Sequence, residues 1–367
     1  MSEPVIVGLS GGVDSAVAAL LLRDAGHEVQ GLFMSNWEED EDGYCTSAQD
    51  FQDARTVAAE LGIALHRASF ARQYREQVFG HFLAEHRAGR TPNPDVLCNR
   101  EIKFGVALEW AQRLGAARFA TGHYARLQTH SWGTGLYKAR DAAKDQSYFL
   151  HAVPAAQLAR TLMPLGEFTK SWVRERARQA GLPVFDKPDS TGICFIGERP
   201  FREFLGRFLP GTAGPIESPA GERLGTHQGL AFYTIGQRGG LRLGGRHGHP
   251  QQPWYVAAKD GERNALIVVQ GHDHPLLASG ALTSGAWHWL GPPRAAAFRC
   301  GVKVRYRQVD EPARLEPCAD GTVRIDFERP QRAVTPGQYA VAYEGERCLG
   351  GAVIESATPA VCAAAAA

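Results

Sequence analysis

The feature that most limits what this chain can fold into is the strand–loop–helix unit at its start. Val5 to Leu9 is a short apolar run, which reads as a strand buried on both faces. Ser10-Gly11-Gly12 follows at once, and from Val13 to Ala25 the apolar residues recur at helical spacing, with Gly26 as the stop. The alternation then repeats. Glu28 to Met34 reads as a strand, and Thr46 to Leu61 as a helix with Thr46 or Ser47 as N-cap and Gly62 as stop. Ala64 to Phe70 is a third strand, helices follow near Arg72–Arg87 and Glu101–Leu114, and Arg118–Thr121 is a fourth strand. Strands that alternate with helices over short connections run parallel, so the first part is α/β, a doubly wound parallel sheet.

Near residue 200 the texture changes. A helix-like stretch from Pro200 to Phe208 leads into Gly- and Pro-rich sequence. Short alternating runs come next, at Trp254–Ala258, Ala265–Val269, Arg299–Arg305, Val323–Phe327 and Gln338–Ala342. Such runs with frequent turn residues predict small β-rich modules, and a break near 277–281 divides them in two. The expected order is a nucleotide-binding domain over 1–200, a central β-rich module over 201–278, a C-terminal β-barrel over 279–362, and a disordered alanine tail over 363–367.

Charge excludes some partners. Lys and Arg total 40 against 39 Asp and Glu, a formal net charge of +1, so the whole chain is not a basic clamp. Locally, Arg118 to Lys187 carries eleven Lys/Arg against five Asp/Glu, and the Gln237–His249 loop adds Arg238, Arg242 and Arg246 with no acid. These are either solvated faces or surfaces that track phosphates; the acidic run Glu38–Asp42 reads as an exposed loop. No apolar run reaches the ~20 residues of a membrane helix. The N-terminus enters the first strand without a basic or cleavable leader, which predicts a bacterial cytoplasmic protein. The 7 cysteines stand at 45, 98, 194, 300, 318, 348 and 362, none in C-x-x-C spacing. Single thiols are expected rather than a metal or disulfide framework.

Ser10-Gly11-Gly12-Val13-Asp14-Ser15 sits where a strand gives way to a helix. Two glycines let the backbone turn tightly, and the helix start aims free N–H groups and a positive dipole end at the same point. Ser10 and Ser15 add hydroxyls. A phosphate can be held there without the lysine of a Walker loop. Two cysteines also stand in suggestive settings. Thr91-Pro92-Asn93-Pro94-Asp95-Val96-Leu97-Cys98-Asn99 fixes a rigid, extended path, after which Cys98 or Asn99 opens a helix, placing a thiol where its pKa falls. Asp189-Ser190-Thr191-Gly192-Ile193-Cys194-Phe195 presents a second thiol in a Gly-bearing turn.

The hexapeptide resembles the pyrophosphate loop of the N-type ATP pyrophosphatases. With TPNPDVLCN at 91–99, TGHYAR at 121–126, KDQSYFL at 144–150, DSTGICFIGER at 189–199, GQRGGL at 236–241 and KVRYR at 303–307, nearly the whole chain resembles the tRNA-specific 2-thiouridylases, the MnmA family. That resemblance implies a PP-loop ATPase domain and an ATP-dependent tRNA-uridine 2-sulfurtransferase. ATP adenylates the 2-oxygen of the wobble uridine, and sulfur replaces it, releasing AMP and pyrophosphate. It implies that Gly8, Leu9, Ser10, Gly11, Gly12, Val13, Asp14, Ser15, Met34 and Gly122 hold ATP, with Asp14 helping to hold Mg2+ alongside pyrophosphate. Cys194 would carry the persulfide, and Cys98 would complete the transfer, pairing with Cys194. Asp95 would move a proton, and Asn93, Pro94 and Asp95 would surround the extruded base. His123, Lys144, Asp145, Gln146, Arg305, Tyr306 and Gln338 would contact tRNA. A persulfide donor from a cysteine desulfurase or sulfur relay is implied; a monomer is expected.

The chemistry is consistent with the residues. An amide-like carbonyl is a poor electrophile with a poor leaving group, and adenylation addresses both. A persulfide on cysteine is a soft nucleophile, and a second thiol can resolve the S–S bond by exchange. The stacked base must be extruded. Two other readings stay open on the residues alone. An ATP-dependent synthetase acting on a small molecule explains 10–15 but not the cysteines, and a non-catalytic RNA-binding protein explains the β modules but not the thiol motifs.

Overall fold

Alternating strands and helices build a five-stranded, all-parallel sheet in a computed structural model that describes residues 3–37, 47–189, 201–244 and 251–360. Its strands are β1 (Pro4–Gly8), β2 (Glu28–Ser35), β3 (Leu65–Ser69), β4 (Arg118–Ala120) and β7 (Thr161–Leu162), in the order β3-β2-β1-β4-β7. The chain reverses its direction of winding between β1 and β4, so the carboxyl ends of these two strands frame the ligand crevice of such a sheet. Alternate residues of β1 enter different cores. Val5 and Val7 pack with α1 (Val13–Asp24) and α2 (Ser47–Leu61), while Ile6 packs with helices over 71–87 (α3) and 94–113 (α4) on the other face. Each such side chain, when fully buried, contributes about 1.5–3 kcal/mol. The expected doubly wound sheet is therefore present.

Helix α4 corrects one expectation. Pro94 does not extend the chain; it is the first residue of the helix. Asn93, in extended conformation, caps it by accepting from the Asp95 N–H at 3.2 Å. Proline suits that position because its missing N–H would have had no partner inside the helix. Cys98 therefore lies more than one turn inside the helix rather than opening it, where the terminal dipole is weak. From Cys98 to Val106 the backbone is wound as a π-helix, a geometry that recurs at functional sites.

A second departure is β5 (Ala125–His130) and β6 (Gly133–Lys138), a hairpin that follows β4 but does not join its sheet. β6 pairs instead with the last strand of the chain, Arg347 opposite Tyr137 and Cys348 opposite Leu136. The central module has β8 (Gly214–Glu217), β9 (Arg223–His227), β10 (Trp254–Asp260) and β11 (Ala265–Gln270), in the order β10-β11-β8-β9; the β11–β8 pair is parallel rather than antiparallel. The C-terminal module comprises β12 (Ala278–Ser284), β13 (His288–Trp289), β14 (Phe298–Lys303), β15 (Glu311–Pro317), β16 (Val323–Arg332), β17 (Tyr339–Glu344) and β18 (Arg347–Pro359). The path β12-β16-β15-β14-β17-β18 returns to β12 and closes a barrel, which removes exposed sheet edges. Leu282, Val302, Leu315, Ile325 and Ile354 fill it. The acidic run 38–42, Cys45, Thr46, the 190–200 segment with Cys194, Arg246, Cys362 and the 363–367 tail lie outside the described residues.

Candidate active site

The hexapeptide folds into a tight turn at the start of α1, a geometry suited to an anion. Gly11 has φ +77°, and a Cβ there would stand 2.2 Å from the Asp50 carbonyl oxygen, so only glycine fits. The hydroxyl of Ser15 organises the turn, accepting from Ser10 N at 3.2 Å and donating to Gly12 O at 3.0 Å. Gly12 is the N-cap of α1 and supplies no side-chain cap, which leaves first-turn N–H groups for an anion. Gly8 and Met34 meet beneath the crevice, a Cβ on Gly8 lying 3.3 Å from Met34 Cε. Leu9 continues from β1, its N–H donating to Leu32 O at 2.9 Å. Gly122 follows β4, and a Cβ there would meet the backbone of Asp14 and Ser15 at 2.7 Å. Its lack of a side chain lets the segment after β4 close onto the loop itself.

Asp14 points into a charged relay. Tyr124 Oη donates to it at 2.8 Å, and Lys170 Nζ bonds both of its oxygens at 2.7 Å. Burial and the neighbouring Asp14 carboxylate push the Tyr124 hydroxyl well above its usual range, so it stays a donor. Lys170 also meets Asp189 at 2.7 Å, as do Lys144 at 2.6 Å and Arg174 at 3.0 Å. Burial would raise the Asp189 carboxyl, but the bonds from Lys144 and Lys170 prevail and hold it at about 2. Asp189 leads directly into the 190–200 segment. Lys187 fixes the other side of the loop, donating to Gly11 O at 3.0 Å, Asp50 at 2.7 Å and Asp53 at 2.5 Å.

Among the described residues no cluster of three or more His, Cys, Asp or Glu could cage a metal. One carboxylate beside a phosphate cradle suits Mg2+, a hard ion that keeps several waters and binds through one or two carboxylates plus substrate phosphates. Asp14 would be its protein ligand.

Cys98 is buried, 1% exposed, in a core that includes Ile102, Phe104 and Phe119. Next to it, Asn99 donates to Phe149 O at 3.2 Å, and the Phe149 ring packs on Tyr306 with centroids 4.4 Å apart. Asn93 and Asp95 are half-buried at the start of α4, beside buried Pro94.

Several residues read as RNA contacts are engaged within the fold. His123 is 8% exposed, bonds Thr121 Oγ1 at 2.8 Å and packs on Phe104, and burial pushes its pKa well down. Asp145 is 4% exposed and accepts from Ala139 N, Ser147 N and Ser147 Oγ. Gln146 accepts from Tyr124 N at 2.9 Å, and Gln338 Nε2 donates to Thr91 O at 2.7 Å. Arg305 donates to Ala333 O.

The 118–187 segment also differs from its sequence reading. Nine of its eleven cations (Arg118, Arg126, Lys138, Lys144, Lys170, Arg174, Arg176, Arg178 and Lys187) lie within 4.0 Å of a carboxylate. Most of those acids come from outside the segment, which hides the neutralisation from a local count. Arg238 and Arg242 in the glycine-rich loop are exposed. The sequence reading missed Lys170 as a partner of Asp14. Its only local signal was membership of that basic run.

Family models cover the chain in three parts: a tRNA methyl transferase HUP domain at residues 3–198, a tRNA methyl transferase PRC-barrel domain at 202–270 and an aminomethyltransferase beta-barrel domain at 279–354. The tRNA-specific 2-thiouridylase MnmA of Chromohalobacter salexigens is 56% identical over 355 residues, 96% of this chain and 92% of that protein. The same enzyme of Hahella chejuensis is 54% identical over 358 residues, 97% of this chain and 98% of that one. A solved 4-thiouridine synthetase–RNA complex with bound ATP overlaps at TM-score 0.37 with 19% identity, covering 57% of this chain and 50% of that one.

Proposed function

The chain belongs to the MnmA family of tRNA-specific 2-thiouridylases, and on that premise we propose that it replaces the 2-oxygen of a wobble uridine in tRNA with sulfur, at the expense of ATP. The observation that carries this reading is the cradle at 10–15 with Asp14 beside it, on the same crevice edge as Gly122. Such a cradle binds the phosphates of a nucleotide. The matched domain models are described by methyl transfer. The phosphate cradle and the two thiol motifs serve thiolation instead.

In the first step the uridine 2-oxygen attacks the α-phosphorus of ATP, the α–β bond breaks, and pyrophosphate leaves. The loop N–H groups bind the phosphates; Asp14 would hold Mg2+, which would supply charge neutralisation there. The terminal sulfur of a Cys194 persulfide then attacks C2, and AMP departs with the original oxygen. Cys98 thiolate attacks Cys194 Sγ, the S–S bond breaks, and 2-thiouridine is released with a Cys98–Cys194 disulfide that a thiol reductant resets. Asp95 takes the uridine N3 proton as the 2-oxygen is adenylated and returns it when 2-thiouridine is released, and Asn93, Pro94 and Asp95 line the base pocket. A persulfide donor loads Cys194.

We assign tRNA binding to His123, Lys144, Asp145, Gln146, Arg305, Tyr306 and Gln338, together with exposed Arg238 and Arg242, rather than to the 118–187 segment as a whole. The domain divisions stay at 1–200, 201–278 and 279–362, with the hairpin β5–β6 crossing from the first to the last. No helix among the described residues is long and apolar enough to cross a membrane; we place the protein in the cytoplasm, as a monomer.

Reconstitution tests the proposal. Protein, ATP, Mg2+, a persulfide source and unmodified tRNA should yield a thiolated wobble uridine. Cys194→Ser and Cys98→Ser should each abolish product while leaving ATP binding intact. Sulfur transfer retained by Cys194→Ser would exclude its role.

A further inference from the structure

We propose that the outward face of the helix α5 (Lys170–Gln179), with the segment that follows it, is the docking surface for the protein that delivers persulfide sulfur to Cys194. This deepens the function proposed above and rests on it.

Loading needs the sulfurs of two proteins to meet. The Cys194 thiolate attacks the terminal sulfur of the donor's cysteine persulfide, the donor's S–S bond breaks, its cysteine leaves as a thiolate, and the transferred sulfur stays on Cys194 as a persulfide. No outside oxidant or reductant enters. The donor must therefore dock within reach of Cys194. Five residues of chain lead from Asp189 to Cys194 and can span at most about 18 Å. Asp189 is itself anchored, by Lys144, Lys170 and Arg174.

A surface suited to a partner lies directly beside that anchor. Thr169 caps α5, its hydroxyl accepting from Trp172 N at 3.3 Å. Val173 and Ala177 bury the inner face of the helix in the core shared with α1. Arg174 lays the following segment along the helix, donating to Phe185 O at 2.9 Å and to Lys187 O and Asp189 Oδ1 at 3.0 Å. Here an open groove of about 380 Å³ is lined by Ser171, Arg174, Glu175, Arg178, Phe185 and Asp186. Trp172 follows Ser171 and stacks on Phe168, with ring centroids 3.9 Å apart and planes 12° from parallel. Among the described residues five large hydrophobic side chains are exposed, and two of them, Trp172 at 38% and Phe185 at 37%, stand on this helix and the segment it holds.

The chemistry favours a protein over RNA. The groove's two cations are matched by its two carboxylates, Glu175 and Asp186; Arg178 bonds Glu175 at 2.7 Å, and Arg174 bonds Asp189. Such a lining gives no net attraction to a phosphate backbone. Aromatic and arginine side chains with a polar rim are what protein partners bury, and the Phe168–Trp172 stack is ordered before binding, which lowers the cost of association. Because Arg174 grips both the groove wall and Asp189, a donor seated there is placed relative to the start of the segment that carries Cys194.

The test compares full-length Trp172→Ala and Arg178→Glu with the unaltered protein. The same organism's cysteine desulfurase, alone and with its sulfur-relay proteins, is charged with 35S-cysteine, and label reaching Cys194 is followed on non-reducing gels without ATP or tRNA. Inorganic polysulfide, which needs no docking, loads Cys194 in parallel. Loading from the protein donor should be about tenfold slower in both variants, with polysulfide loading and tRNA affinity within twofold. Unchanged loading from the protein donor would overturn the proposal. An equal loss with polysulfide would do so too, since it would mean an altered thiol, as would a tRNA affinity loss beyond fivefold, which would make this an RNA surface. If Trp172→Ala does not fold, Arg178→Glu decides alone. If the unaltered protein takes sulfur from neither source, the proposed role of Cys194 falls, and calorimetric titration with the donor proteins still decides the surface: a Kd about tenfold higher in the variants supports it, and an unchanged Kd or no binding at all overturns it.

Discussion

The phosphate loop and the 89–99 strap are built in opposite ways. The turn of the loop is closed by bonds that span three to five residues, Ser15 to Gly12 and to Ser10, with Lys187 and Lys170 adding distant bonds to Gly11 and Asp14. The strap is held by Thr234, Lys259 and Gln338, partners 143, 170 and 247 residues away. A local device is fixed by its own backbone geometry and tolerates change elsewhere. A device held from afar reports the position of whatever holds it. For an enzyme that must bind any ATP but act on one base of a large RNA, this division places rigidity at the nucleotide and responsiveness at the base.

Changes that attack each device separately should break this contrast if it is wrong. The largest effect is expected from Gly11→Val. Positive φ and the Asp50 carbonyl leave no room for a side chain, so nucleotide binding should vanish and stability fall by about 3 kcal/mol or more. Gly12→Ala is its control: φ is −102° and the nearest atom, Ser10 Oγ, is 3.5 Å from the added Cβ. Thermal melting should shift by only a few degrees.

Gly337→Val attacks the strap in the same manner, from the barrel, since Gly337 has φ +91° and a Cβ there would stand 2.8 Å from Thr91 N. It should destabilise the protein by about 2 kcal/mol and depress thiolation, yet leave ATP affinity unchanged in a nucleotide titration. A matching loss of ATP affinity would show that the two devices are not separate.

Asp14→Ala should weaken Mg2+-dependent pyrophosphate handling by about 100-fold in rate, read by pyrophosphate exchange into ATP. Tyr124→Phe removes a 2.8 Å bond to Asp14 and should cost only about 1 kcal/mol.

The smallest effect concerns pH. His86 and His151 are held at about 4 mainly by burial, His86 with nearby Lys259 adding to it and His151 against a backbone bond that raises it. Unfolded histidine titrates near 6.5, so between those values the unfolded chain binds more protons than the fold. Stability should fall as pH drops from 6.5 toward 4. A melting temperature constant across that window would contradict the burial of both; His151→Leu should flatten its share of the slope.

The contrast also explains what the sequence could disclose. Contiguous signals were legible: the first strand, the hexapeptide, α1 with its Gly26 stop, and the alternation that makes a parallel sheet, though neither its strand order nor its fifth strand at 161–162. Motifs with several unusual residues in a row, such as TPNPDVLCN, stood out in the sequence, although Pro94 opens a helix where an extended path was expected. What was not legible depends on distant partners. The basic look of 118–187 dissolves because Asp14, Asp24, Asp50, Asp310 and Glu346 arrive from elsewhere. The hairpin at 125–138 gave no sign that it would join a barrel strand more than 200 residues later. Asp145 and His123 stand in polar motifs, yet both are buried by their surroundings.

The most direct measurement follows one oxygen atom. Transfer RNA carrying 18O at C2 of its wobble uridine is thiolated in a single turnover, and the released nucleotide is analysed by mass spectrometry. Adenylation of that oxygen predicts one 18O in each AMP and none in pyrophosphate. Label in pyrophosphate or in water, or AMP formed without label while 2-thiouridine accumulates, would contradict the account.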